Sequence, residues 1–408
     1  MAGANDGPKL KRSLTLPLLT LYGLGVTIGA GIYVLVGATA AEAGIHAPIS
    51  FPLAAGGVGF TGFSYCELAT RYPVSAGEAV YVREGFNSRK LSLIIGLLVV
   101  ASGVVSSAAV SIGAAAYIHA FIPVSPWILS SAVILLVGLV AVWGILESVA
   151  LAALFTVIEI CGLGLVVWTG LANEPDAIRQ IGSLVPPMEA GVWGGIFAAG
   201  LLAFFAFVGF EDIANVAEEV KQPRKTLPRG IVLTLVIAAL VYFIVVSVVV
   251  LVVPMSSLVG SAAPLALIFE GANPTTRGLF NIIAIIATVN GALIQVIMAA
   301  RVLYGLASQG SLPAFIARVN PLTRTPLVAT VLITVIILFL AAFLPIAELA
   351  AATSMIVLVV FSFVNLALLR IKWRRQVGEV TYFRVPVWVP VVGFISCGLL
   401  FLSGLVLS

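Results

Sequence analysis

Residues 23–37 read GLGVTIGAGIYVLVG, five glycines in fifteen positions, inside an apolar run that extends from about residue 15 to 43. In a helix interior each glycine costs about 1 kcal/mol relative to alanine. Hydrocarbon offers no water to satisfy the backbone groups that a broken helix frees. Such a run is therefore either a packing surface for a neighbouring helix or an interruption lined by protein.

The chain around it is built for lipid. Of its 408 residues 61% are hydrophobic and only 9% charged, and the mean hydropathy is +1.18; soluble chains carry about 25% charged residues. A net charge of +4 does not call for nucleic acid. Cys66, Cys161 and Cys397 fall in separate apolar runs with no disulfide or metal spacing. No GxxxxGK[ST] loop is present and no nucleophile–base cluster stands at one depth, which argues against an ATP-driven pump and against an enzyme.

Eleven runs are long enough to cross a bilayer: about 15–43, 48–71, 91–121, 126–144, 148–171, 192–217, 228–253, 277–306, 326–344, 347–370 and 386–407. The first follows Lys9, Lys11 and Arg12 but is too long for a cleaved signal peptide, and ten more come after it. With a cytoplasmic N-terminus, all of the 21 lysines and arginines except Arg179 and Arg277 lie at inner ends. The C-terminus then lies on the extracellular or periplasmic side of a cell (inner or plasma) membrane. The expectation is an all-α, multi-pass integral membrane protein: a tail at 1–14, a first repeat at 15–171, an outer loop at 172–191, a second repeat at 192–370, and a loop plus last helix at 371–408.

A second interruption supports the repeat. FFAFVGFEDIANVAEEV, residues 204–220, stops being apolar at Gly209-Phe210 and continues with Glu211 and Asp212. Breaks at matching places in spans one and six suggest two five-span halves of inverted topology, with discontinuous helices 1 and 6. Exposed amides at one new helix end suit a carboxylate, and exposed carbonyls suit an ammonium or a cation. Two facing breaks make a site for a zwitterion.

GVTIGAGIYVLVG resembles the first-span glycine motif of the amino acid–polyamine–organocation (APC) transporters, and FFAFVGFEDIANVAEEVKQPRKTLPRGI their sixth-span signature. YCELATRYPVSAGEAVYV and ARVLYGLASQGSLPAFIARVNPLTRTPLVAT add matches after spans two and eight. The resemblance covers nearly the whole chain in order. It implies the LeuT-like five-plus-five fold and an amino acid permease working by alternating access, as a symporter or antiporter. Many members have twelve spans, whereas this chain has eleven.

Carried onto these positions, the resemblance has the substrate carboxylate meeting amides at Ala30 and Gly31, next to Gly29. Its ammonium meets carbonyls at Thr27, Ile28, Phe205 and Val208, in the break formed by Gly209 and Phe210. Relatives often have serine or threonine where Ala30 stands. Phe205 matches an aromatic that covers the substrate; ordinary core packing is the alternative for it and for Phe207.

Glu159 stands eleven residues into span five with no basic partner in that span, and a charge at bilayer depth costs at least about 2.5 kcal/mol. Burial disfavours its ionised form, so it is a candidate proton carrier; ionised, it can hold a cation against the Ile28 carbonyl and Thr288. Some proton-coupled relatives have a lysine at this place. Glu211 is the second coupling candidate, since the matching glutamate of arginine–agmatine exchangers gates with protons; capping of the following half-helix is the alternative. Glu67 reads as a structural partner of Arg71, four residues on.

No cofactor is expected beyond a coupling proton or sodium ion, and no metal site. The partners are a small amino acid and the lipid bilayer, with a homodimer left open and nucleic acid excluded. Cation-coupled or exchange transport of cationic amino acids or polyamines is the alternative; a transporter-like amino acid sensor is the alternative of a different class.

Overall fold

The structure, a computed structural model, describes residues 14–74, 77–143, 149–217, 220–261, 263–308, 310–320, 325–374 and 383–407. Lys9, Lys11, Arg12, Arg324 and Arg375, used above for orientation, lie outside the described residues.

The chain runs through α1 (Leu16–Ala43), α2 (Ala47–Arg71), α3 (Gly77–Phe86), α4 (Arg89–His119), α5 (Pro126–Trp143), α6 (Val149–Asn173) and α7 (Ala190–Phe205). It continues through α8 (Asp212–Asn215), α9 (Pro223–Val252), α10 (Met255–Leu258), α11 (Pro274–Ser308), α12 (Leu327–Phe343), α13 (Ile346–Trp373) and α14 (Trp388–Leu407). Short 3-10 turns occupy Pro175–Leu184 and Pro264–Phe269, in the two long segments that follow α6 and α10. Among the described residues each of the eleven apolar runs falls mainly on helix, the sixth being interrupted after Phe205.

Gly31–Arg71, Arg89–His119, Ala153–Asn173, Pro223–Val252, Pro274–Ser308 and Ile346–Trp373 are long and apolar enough to cross a membrane. Leu16–Gly29, Pro126–Val142, Ala190–Phe205, Leu327–Phe343 and Trp388–Leu402 are shorter apolar helices. Large apolar side chains cover the outer faces of the bundle: Leu139 is 68% exposed, Trp168 76% and Phe339 63%. In water such faces would drive association; in a bilayer they meet acyl chains. The molecule is a multi-pass, all-α membrane protein.

At its centre, α1 packs against α6, α7, α9 and α11, while α4 lies along α11 and α13. The break expected in the first span is not there. α1 is one helix from Leu16 to Ala43, so the amides of Ala30 and Gly31 lie within its ladder rather than at a free end. Its glycines serve close approach instead. A Cβ on Gly31 would stand 2.3 Å from the Ala206 Cα, and one on Gly37 would stand 2.7 Å from the Leu258 carbonyl oxygen. A helix can retain its hydrogen bonds and still use glycine, because the missing side chain lets another backbone come within contact distance. The break in the sixth span is present: α7 ends at Phe205 and α8 begins only at Asp212.

Candidate substrate and coupling site

The segment between α7 and α8 turns through tightened bonds. The amides of Ala206, Phe207 and Val208 donate to the carbonyls of Ala203, Phe204 and Phe205 at 3.1, 2.9 and 3.1 Å. Gly209 follows with φ +120°, a conformation that side chains resist; a Cβ there would lie 2.5 Å from Val26 Cγ1 of α1. Its amide donates to Glu211 Oε2 at 2.8 Å. Glu211 makes no side-chain cap on α8. The capping alternative is thus absent, and the carboxylate instead bonds inside the turn.

Tyr242 of α9 joins the two elements. Its hydroxyl lies 2.8 Å from both the Thr27 carbonyl oxygen of α1 and the Ala206 carbonyl oxygen of the turn. Two carbonyls from the two spans thus converge on one donor, with the Thr27 hydroxyl bonded back to Gly23 at 2.8 Å. Gly31 of α1 is thus set against Ala206, and Val26 against Gly209, in a closed contact, with Thr27 tied to the turn through Tyr242; Gly29 faces the other way, toward α11. Phe205, Phe207 and Phe210 are fully buried. Phe207 stands edge-on to Tyr242 at 5.2 Å, and Phe210 packs on Tyr65 and Phe361 at 5.6 and 5.3 Å. The latter two rings serve packing.

Glu159 enters from α6 on the opposite face of α1 and is wholly buried. Asn290 Nδ2 of α11 donates to its Oε1 at 3.2 Å, while its Oε2 has no hydrogen-bond partner among the described residues. Both oxygens lie 3.7 Å from where a Gly29 Cβ would be, and the Ala287 carbonyl oxygen lies 3.0 Å from the same point. Gly29 thus opens room for a carboxyl between α1 and α11. The Tyr33 hydroxyl donates to the Glu159 carbonyl at 2.8 Å and fixes α6 beside α1. Thr288 bonds back to its own helix at Ala284 (2.7 Å); Asn290, two residues on, makes the contact instead. Among the described residues no three His, Cys, Asp or Glu side chains gather around a possible metal.

Farther toward the expected cytoplasmic end, Glu67 is buried and pairs with Arg71 at 3.3 Å, as its spacing predicts. It also accepts from Lys372 Nζ at 2.6 Å and the Val385 amide at 2.8 Å, which ties α2 to α13 and to the segment before α14.

Tyr242, Tyr33 and Glu78 were not visible as site residues in the sequence. Each is a lone polar group in an apolar or unremarkable run; Tyr33 and Tyr242 draw their importance from contacts far along the chain, and Glu78 from its bond to Tyr65.

Comparison with known proteins fits this architecture. The sequence model of the amino acid permease family matches residues 14–407. The chain belongs to that family. The permease is accordingly a secondary transporter of amino acids and not an enzyme. It is 29% identical to a branched-chain amino acid permease of Bacillus subtilis, over 96% of this chain and 87% of the relative. It is equally similar to the methylthioribose transporter of the same organism, at 29% identity over 98% and 89%. A vacuolar cationic amino acid transporter of Arabidopsis thaliana is 30% identical over 91% of this chain and 61% of the relative.

Proposed function

We propose that this permease couples entry of a neutral amino acid to a proton bound at Glu159, by alternating access around the contact between α1 and the sixth-span turn. Glu159 carries the reading. It is a fully buried carboxyl with one oxygen unpartnered and no ion pair among the described residues, set against the helix whose partner must part to admit substrate. A charge left bare at that depth is costly; a proton on Oε2 removes it. Loss of the proton then favours a state in which water reaches the carboxyl. Uptake of a proton and closure around substrate are linked by that difference.

Eleven membrane crossings in two inverted halves, residues 15–171 and 192–370, accompany this reading. The N-terminus is cytoplasmic and the C-terminus is outside. Supporting this arrangement, Arg71 and Lys372 share Glu67, and the Leu14 carbonyl accepts from the Lys221 amide at 2.8 Å. Basic residues assigned to separate inner loops therefore gather at one end. The branched-chain activity named for the B. subtilis relative favours an apolar substrate side chain, in keeping with the phenylalanines around the turn.

A cationic substrate is the second reading, favoured by the names of the plant relatives and by the lack of an ion pair to Glu159 among the described residues. If Glu159 stays ionised, it serves such a substrate as counter-charge.

Proteoliposome uptake of radiolabelled leucine and arginine, with imposed proton or sodium gradients, separates the readings. Leucine should accumulate with an acid exterior and ignore sodium. Glu159→Gln should abolish accumulation while leaving leucine–leucine exchange. Accumulation that follows sodium, or that survives Glu159→Gln under a proton gradient, contradicts the proposal.

A further inference from the structure

The short helix α3 lies between α2 and α4, packs on α13 and α4, and reaches α8 through its first residue, Gly77. Its second residue, Glu78, is only 2% exposed, an uncommon position for a carboxyl in a loop. The Tyr65 hydroxyl of α2 donates to Glu78 Oε1 at 3.3 Å, and the Tyr65 ring stacks edge-on against Phe210 in the sixth-span turn. The neighbouring Gly77 amide donates to Asn215 Oδ1 of α8 at 3.2 Å. A Cβ on Gly77 would lie 2.7 Å from the Tyr81 hydroxyl, which is wholly buried and unpartnered among the described residues, as is Asn215 Nδ2. The result is a buried polar knot that joins α3 to both sides of the turn.

No ion pair neutralises Glu78 among the described residues. On α3 itself, Arg83 pairs with Glu84. On α2 and α13, Arg71 and Lys372 are held by Glu67, and Arg370 lies over the Phe86 ring at 4.7 Å. Arg89 and Lys90 at the start of α4 are exposed, and Ser92 is spent on the Ala79 carbonyl. Arg374, just beyond α13, is exposed. The groups that face Glu78 are acidic or phenolic: Glu211, Tyr65 and Tyr81.

We propose that Glu78 is a second proton-binding residue of the transport cycle, whose neutral form holds α3 onto α8 and keeps the cytoplasmic side of the sixth-span turn closed. With Glu78 protonated, the knot is uncharged and stable without water. Ionised, it leaves a carboxylate buried with no ion pair among the described residues. That cost is relieved when α3 lifts and water reaches it. Burial pushes the Glu78 carboxyl up to about 7. Closure is therefore fully supported below the ordinary carboxylate range and loses that support as pH rises through about 7. The inference requires alternating access but not the role assigned to Glu159.

Ala217, buried just beyond α8, reports on this closure without substrate or gradient. In a background with the three native cysteines replaced by alanine, Ala217→Cys is labelled with N-ethylmaleimide at pH 5 to 8.5. Rates are normalised to SDS-denatured protein at each pH. Labelling should rise about tenfold with pH, and Glu78→Gln should hold it slow throughout. Tyr65→Phe removes a donor that favours the carboxylate and should move the midpoint to higher pH. A flat profile in the parent, a Glu78→Gln profile that rises like the parent, or an unmoved midpoint in Tyr65→Phe overturns the proposal.

Discussion

Tyr242 and Gly31 are the side chains on which the central contact turns, one by what it adds and one by what it omits. The Tyr242 hydroxyl offers its one proton between carbonyls of two different spans. Tyr242→Phe keeps the ring on Phe207 and Phe51 but removes that shared bridge. Hydrogen bonds between membrane helices contribute about 0.6 kcal/mol on average and up to about 1.7. A loss near the upper figure is expected, read as a lower melting temperature of purified protein in detergent. Gly31→Ala places a methyl at the Ala206 backbone, where neither partner can yield, and overpacking of this kind costs about 1–3 kcal/mol. Gly164→Ala, on the lipid face of α6 with nothing within 4 Å of the added carbon, should be neutral or stabilising. Heated size-exclusion profiles of the two alanine variants should therefore diverge; equal behaviour would refute the packing role given to Gly31.

Elements show which parts of the structure could be read from sequence alone. Hydropathy finds apolar runs that fall mainly on helix among the described residues, because in hydrocarbon a long apolar segment has few alternatives to helix. The sixth-span break was legible because Glu211 and Asp212 interrupt an apolar run, and acids inside lipid need a structural reason. The first-span break was misread. Glycine offers conformational freedom and small size, and a sequence does not distinguish which is in use; only Ala206 opposite Gly31 decides it. Thr288 and Asn290 show the same limit at a finer level. Both lie on α11 near Glu159 in sequence register, and the direction of each side chain selects Asn290. Between elements, Glu67 is the tie from α2 to α13. Glu67→Ala leaves Arg71 and Lys372 without their shared anion, and breaking such a pair costs about 3–5 kcal/mol. Lys372→Ala retains Arg71 on Glu67 and should cost less, a ranking that denaturation midpoints will test.

For the whole molecule, the polar groups fall at two levels along α1 and the sixth span. Glu159, Asn290 and Gly29 stand on one face of α1; Glu78, Glu211 and Tyr65 lie toward the end where the basic loops gather. A transporter that must never open on both sides at once is served by separate charge sites, one near the substrate contact and one at a gate. The tight seam from Val26–Gly209 to Gly31–Ala206 is then the surface that parts and re-forms. The most direct test is an experimental structure of the permease with leucine bound. The account predicts leucine wedged between residues 27–31 of α1 and residues 205–209, with the Tyr242 bridge opened on at least one side. Leucine bound elsewhere, with the α1 seam still closed on the turn, would contradict it.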